Sequence, residues 1–349
     1  MQFKTLRDFV VAEKRVLLRC DFNVPVNEKG DILDDYRIRQ SVPTIKYLVE
    51  SRAKVVVISH LDPESTNVAD KKYNLSNVAQ RLGDLLNMGI ERDDALIGPE
   101  VENQTNALKP GQVLLLENLR FEKGETENSQ DFAKQLSFLG DIYANDAFSV
   151  CHRKHASIVG VPRLLPKCAG LLLEKEVKVL DKVMVSPEKP MVAIIGGKKV
   201  ETKTKFINKI SEKADFVIIS GLLKKEADEK KIKFLHPEKI IAPDDNLEAK
   251  DISDKTIQKF SEKIAQAETV LWNGPFGKFE EKEFAKGTLA IAEAIIKSQA
   301  YSVVGGGETV EFLSKYGMLE KFSHVSTGGG AMMAYLSGEK LPGLEALED

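Results

Sequence analysis

Short runs of valine, isoleucine and leucine recur along the chain, each followed by a stretch with helix-like apolar spacing. In the first half the runs are Val16-Leu17-Leu18, Val55-Val56-Val57-Ile58, Val113-Leu114-Leu115-Leu116 and Ile142-Tyr143-Ala144. In the second half they are Val192-Ala193-Ile194-Ile195, Phe216-Val217-Ile218-Ile219, Ile240-Ile241, Thr269-Val270-Leu271-Trp272, Tyr301-Ser302-Val303-Val304 and His324-Val325. Unbroken apolar runs of this length predict strands covered on both faces. Amphipathic segments such as Ser76–Leu86, Thr204–Ala214, Asp254–Gln266 and Lys282–Lys297 predict helices between them. The alternation implies an α/β protein of two lobes, each a parallel sheet flanked by helices.

The boundary between the lobes is marked by punctuation. Val161-Pro162-Arg163-Leu164-Leu165-Pro166 reads as a loop, Leu171–Val185 as a long helix, and Ser186-Pro187-Glu188-Lys189-Pro190 as its stop. We therefore expect an N-terminal domain over 1–167, a hinge helix over 168–186, a C-terminal domain over 187–325 and a closing segment over 326–349.

Composition narrows the function. With 349 residues, two domains are the default, and 42% hydrophobic with 30% charged residues suits a sizeable core in each. A formal charge of -3 argues against a general nucleic-acid binder. Cys20, Cys151 and Cys168 are too widely spaced for a metal site or a disulfide framework, which fits a reducing cytoplasm. The opening residues carry no signal-peptide apolar core, and no run reaches the ~20 residues of a membrane span. Every arginine lies at or before Arg163, while the glycine clusters Gly196-Gly197, Gly305-Gly306-Gly307 and Gly328-Gly329-Gly330 lie in the second half. The two halves are expected to carry different chemistry.

Ligands of parallel sheets sit beyond the carboxyl ends of the strands. In the first half those ends carry Arg19-Cys20-Asp21-Phe22-Asn23, Ser59-His60, Glu117-Asn118-Leu119-Arg120 and Asp146-Ala147-Phe148, followed by His152-Arg153, with Arg37 after the first loop. Guanidinium groups grip carboxylate and phosphate bidentately, so the set suits a small polyanion bearing both. His60, His152 and His155 have neither the spacing nor the partners of a zinc site.

In the second half the ends carry Gly196-Gly197-Lys198-Lys199, Asn273-Gly274-Pro275-Phe276-Gly277, Gly305-Gly306-Gly307-Glu308-Thr309 and Ser326-Thr327-Gly328-Gly329-Gly330. Such turns let backbone N–H groups approach phosphate oxygens at a helix start. Lys199 and Lys203, four apart, are expected on one helical face. No Gly-x-Gly-x-x-Gly opens a helix, which argues against a dinucleotide-dependent dehydrogenase. No nucleophile pairs with a base. Cations on one side and phosphate cradles on the other suit phosphoryl transfer.

These motifs, in this order and through nearly the whole chain, resemble the phosphoglycerate kinase family. The resemblance rests on Arg19-Cys20-Asp21-Phe22-Asn23-Val24-Pro25, Glu117-Asn118-Leu119-Arg120-Phe121, Asp146-Ala147-Phe148 with His152-Arg153, Gly196-Gly197-x-Lys199-Val200, Trp272-Asn273-Gly274-Pro275 and Val325-Ser326-Thr327-Gly328-Gly329-Gly330. It implies two Rossmann-like lobes and exchange of a phosphoryl group between 1,3-bisphosphoglycerate and ADP, with Mg²⁺ carried by the nucleotide; nothing in the sequence demands more than a monomer. It implies that Asp21, Asn23, Arg37, His60, Arg120 and Arg153 surround phosphoglycerate. Gly197, Lys199, Asn273, Pro275, Glu280, Gly305, Gly306, Gly307, Glu308 and Thr309 would surround the nucleotide, with Glu308 at the metal. Arg37, Lys203, Gly329 and Gly330 would stabilise the transferring group, and the last residues would return to the N-terminal domain.

The sequence departs from the family's pattern in three places. Its His-Leu-Gly-Arg-Pro reads His60-Leu61-Asp62-Pro63 here, putting an anion where a cation is usual. Its Gly-Gly-Gly-Asp ends in Glu308. The stretch after Gly221-Leu222-Leu223 lacks the glycine-rich adenine-side segment, so part of the pocket wall is expected to be missing. These departures keep open an alternative, a catalytically impaired nucleotide-binding or regulatory protein of the same fold.

Overall fold

The computed structural model describes residues 3–62 and 71–348, so Asp62 is described and Pro63 lies outside the described residues. One compact unit takes in the chain up to Glu176 and again from Lys340 onward; the other is Val177–Glu339.

The first unit is built on β1 (Arg15–Arg19), β2 (Lys54–Ile58), β3 (Glu91–Arg92), β4 (Val113–Leu115), β5 (Ile142–Asn145) and β6 (Lys167–Ala169), in the order β3-β4-β2-β1-β5-β6. Every pairing is parallel. β1, β2, β4 and β5 are the predicted apolar runs and are buried along almost their whole length. β3 and β6 were not foreseen, because Glu91-Arg92 and Lys167-Cys168-Ala169 are short edge strands without an apolar run. Val16, Leu18, Val55 and Val57 pack with Ile38, Ile45 and Leu48 of helix Tyr36–Glu50 and with Val78 and Leu82 of helix Ser76–Leu86. The expected loop at 161–166 contains one short turn of helix, Val161–Arg163.

Helix Leu171–Val185 has the predicted bounds. Its start is set by Asp146, at the end of β5, whose Oδ1 accepts from the N–H of Leu172 at 2.8 Å and of Leu173 at 3.3 Å. Those N–H groups are among the helix's orphan donors, and a carboxylate there also meets the positive end of the helix dipole.

The second unit holds β7 (Met191–Ile195), β8 (Phe216–Ile219), β9 (Ile240–Ile241), β10 (Thr269–Asn273), β11 (Tyr301–Gly305) and β12 (His324–Val325), again all parallel, in the order β12-β11-β10-β7-β8-β9. Counted from its own first strand this is the doubly wound order 6-5-4-1-2-3, with the ligand crevice expected where the order reverses, between β7 and β10. Ile195, Asn273 and Gly305 are in register, so the three following loops start from one rim. In the first unit Arg19 is likewise in register with Ile58 and Asn145. Among the described residues no helix is long and apolar enough to cross a membrane.

Candidate active site

The rim of the first sheet gathers an arginine cluster around two buried carboxylates, Asp21 and Glu125. Arg19, at the end of β1, is fully buried. Its Nε donates to Ser157 Oγ at 2.9 Å, one terminal nitrogen to the Cys20 carbonyl, and Nη2 lies 3.3 Å from His60 Nδ1. Glu125, also fully buried, stands 4.0 Å away and is itself bonded by Ser157. Arg19 can only donate, so His60 Nδ1 accepts and the ring proton sits on Nε2. Burial, with Arg19, Arg120 and Arg37 nearby, holds the His60 pKa well below its ordinary value against the pull of Asp21, and the ring is neutral.

Asp21 organises the next layer. Arg37 Nη1 donates to it at 2.5 Å, Ser149 donates its hydroxyl, and the Asn23 N–H bonds it at 2.9 Å. Burial alone would raise the Asp21 pKa; Arg37 and these hydrogen bonds outweigh it, and the net direction is down. Arg120 is 3% exposed, and its Nη1 is 3.4 Å from both nitrogens of His155, so the guanidinium lies against the ring. Its Nε is a buried donor without a partner. Burial first, then Arg19, brings the Arg120 pKa down to about 10, while burial and Arg120 push His155 to about 3. A buried cation facing a neutral ring with a spare donor is costly until an anion arrives. Arg153 is exposed and close enough to affect Arg120 electrostatically.

The anion expected at Asp62 is turned to another use. Its carboxylate is close enough to the Tyr73 hydroxyl to raise the pKa of that phenol, while its backbone N–H donates to Asn23 Oδ1 at 2.9 Å.

In the second unit the rim is made of backbone. The Gly196 N–H donates to the Asn273 carbonyl at 2.9 Å and the Gly197 N–H to the Pro275 carbonyl at 2.8 Å. A Cβ on Gly196 would stand 2.1 Å from the Pro275 oxygen, so only glycine fits where these loops interlock. Gly274, at φ +96°, donates its N–H to Thr309 Oγ1 at 2.8 Å. Gly306, at φ +101°, caps helix Gly307–Lys315, and helix Gly329–Leu336 begins beside it, a Cβ on Gly329 coming 4.0 Å from the Gly307 nitrogen. Lys203 lies beneath these turns and donates to the Gly196 carbonyl. Burial brings its pKa down to about 8, Glu308 opposing.

Beside the turns opens a cleft of about 320 Å³ lined by Gly197, Lys198, Leu222, Pro275, Glu280 and Glu308, among others. The wall expected to be missing is present. Residues 245–252 line that side, and Leu247 packs so closely on Gly221 that a Cβ there would meet its carbonyl at 2.7 Å. A second expectation is also corrected: Lys199 and Lys203 do not share a helical face. Helix Val200–Ser211 begins after Lys199, which has φ +68° and is exposed, whereas Lys203 is buried within it. Lys198 is the lysine of this turn that lines the cleft.

Asp21, Asn23, Arg37, His60 and Arg120 thus come together, with Arg153 at the edge. Gly197, Pro275, Glu280 and Glu308 line the cleft, while Asn273 and Thr309 are buried beneath the glycine turns. Sequence reading assigned no part to Ser149, Ser157, Glu125 or His155, of which the first three sit on short helical turns that leave no motif in the sequence.

Comparison with known proteins agrees with this geometry. The family model described as phosphoglycerate kinase matches residues 6–227 and 223–339. The phosphoglycerate kinase of Borrelia hermsii is 40% identical over an alignment of 393 positions that covers all of both chains, and that of Finegoldia magna is 37% identical with the same coverage. The crystal structure of phosphoglycerate kinase from Pyrococcus horikoshii superposes with a TM-score of 0.86 at 32% identity, covering 99% of this chain and 98% of the other. That from Coxiella burnetii gives 0.80 at 33%, covering 99% of each. The chain belongs to the phosphoglycerate kinase family.

Proposed function

We propose that this chain transfers a phosphoryl group reversibly between 1,3-bisphosphoglycerate and ADP, giving 3-phosphoglycerate and ATP. The observation that carries the reading is Arg120: a buried guanidinium with an unpartnered Nε, among neutral histidines, is a receptor waiting for an anion. In this reading Asp21, Asn23, Arg37, His60, Arg120 and Arg153 hold phosphoglycerate in the first unit. Gly197, Lys199, Asn273, Pro275, Glu280, Gly305, Gly306, Gly307, Glu308 and Thr309 form the nucleotide site in the second. The segment from Lys340 onward groups with the phosphoglycerate unit.

The acceptor carboxylate is ionised at neutral pH, so the chain needs no general base. Its task is charge and position. Lys203 neutralises charge on the transferring group, aided by Arg37 and the first N–H groups of helix Gly329–Leu336 at Gly329 and Gly330. In-line transfer needs the reacting atoms about 3–3.5 Å apart. Among the described residues no cluster of three or more His, Cys, Asp or Glu could hold a metal. A single exposed carboxylate at Glu308, beside a phosphate cradle, fits Mg²⁺ that takes its other ligands from phosphate and water. When bound, that ion would offset phosphate charge. We read the protein as a cytoplasmic monomer.

A nucleotide-binding protein of the same fold without turnover is the competing reading. The engagement of Asp62 by Tyr73 and the rebuilt cleft wall favour the enzyme. A coupled assay should register 3-phosphoglycerate-dependent ATP consumption by the wild type at millimolar substrates, with kcat lower by about 10²–10³ in Lys203→Ala. Absence of turnover in the wild type would sink the proposal.

A further inference from the structure

Helix Val200–Ser211, which carries Lys203, begins in an unusual way. Its N-cap residue, Lys199, is held at φ +68° and supplies no side-chain cap. A lysine in that left-handed region is strained by about 1 kcal/mol or more, and something outside the residue must hold it there. The holder is on another element. The Lys199 N–H donates to Glu226 Oε1 at 3.3 Å and the Val200 N–H to Glu226 Oε2 at 2.8 Å.

Glu226 belongs to helix Gly221–Glu229, which is tied to the same turn a second time: Ser220 Oγ, its cap, donates to the Gly197 carbonyl at 2.6 Å. This helix lies where the two family-model matches overlap, at residues 223–227, and where the sequence lacks the family's glycine-rich stretch. Hydrogen bonding from Val200 leads the causes that lower the Glu226 pKa, so its carboxylate is charged at neutral pH. The leading donors of this helix are therefore spent on an internal carboxylate, and a nucleotide phosphate must be met by lysine side chains instead.

We infer that Glu226 is a positioning residue for nucleotide binding: its two oxygens hold the Lys199 and Val200 N–H groups and so fix the turn that carries Lys198 into the cleft, where its ammonium can meet the phosphates. The inference rests on reading the neighbouring cleft as the nucleotide site. Two oxygens serve two donors, so Gln can replace one bond and Ala neither.

The test is a double-mutant cycle on the Kd for Mg·ADP, measured by calorimetry on the full chain. Glu226→Ala should weaken binding about fivefold and Lys198→Ala by a similar or larger factor. The double variant should be no weaker than Lys198→Ala alone, because Glu226 acts through the placement of that side chain. Glu226→Gln should lie within about twofold of wild type. It carries the test if the Ala variant does not fold: a loss well above twofold that persists in a Lys198→Ala background would overturn the inference. The Kd for 3-phosphoglycerate should not move in any variant. Additive losses would overturn the inference, showing that Glu226 supports the unit without acting through Lys198. Tighter Mg·ADP binding in Glu226→Ala would overturn it too, making Glu226 a competing anion. A wild type that binds no Mg·ADP would instead overturn the nucleotide reading, and the inference with it.

Discussion

In the first unit the candidate anion-binding groups are long side chains driven into the interior, whereas the rim of the second is built of glycine turns that interlock backbone to backbone above a buried lysine. Arg19 and Arg120 are almost wholly buried, Arg19 among Ser157, His60 and the more distant Glu125, and Arg120 against His155. At Gly196 and Gly274 the protein does the opposite, removing side chains so that two loops can touch backbone to backbone. A side-chain site stores its cost as buried charge; a backbone site stores it as glycine conformations. The two should therefore fail differently.

The largest expected effect breaks the backbone site. Gly196→Ala places a Cβ 2.1 Å from the Pro275 oxygen and 2.3 Å from that of Gly274. It should lower stability by about 1–3 kcal/mol, read by thermal unfolding, and weaken Mg·ADP binding while leaving the Kd for 3-phosphoglycerate unchanged.

Next comes pH, which should separate the two sites without any substitution. Lys203 has a pKa lowered to about 8 and is useful only as the cation, the form present below that value. The kcat/KM for nucleotide should then fall as pH rises past about 8, approaching tenfold per unit. The phosphoglycerate site should stay flat from pH 7 to 9. Its cations are arginines, and burial holds His60, His152 and His155 neutral throughout. A parallel decline in 3-phosphoglycerate affinity would show that the cationic sides are not distinct.

The smallest effect sharpens the comparison. Because Tyr73 engages the Asp62 carboxylate, Asp62→Ala should change the KM for 3-phosphoglycerate by less than about twofold. A large gain in affinity would mean that Asp62 opposes the ligand after all.

Much of this was legible in the sequence, and unevenly so. Strands such as β2 and β8 announce themselves because parallel strands covered on both faces need unbroken apolar runs. Helix Leu171–Val185 was bounded correctly by the proline-rich stop after it. The edge strands β3 and β6 were not, since an edge needs no such run. Within the sites, residues at strand ends were readable because the fold fixes where strand ends go. Lys199 was misplaced for the complementary reason: helical spacing says nothing about a cap held at φ +68° by Glu226, 27 positions further along. The deletion after Gly221 looked like a lost wall because the sequence cannot show that Leu247 and its neighbours close over the gap.

The most direct test of the central claim, that one unit grips phosphoglycerate by buried arginine while the other holds nucleotide, is calorimetry with each ligand on Arg120→Met. The expected result is loss of 3-phosphoglycerate affinity by about 30-fold or more, with Mg·ADP binding intact and no loss of thermal stability, since a buried cation whose Nε has no partner has been replaced by an apolar chain. Undiminished 3-phosphoglycerate binding, or an equal loss for both ligands, would contradict it.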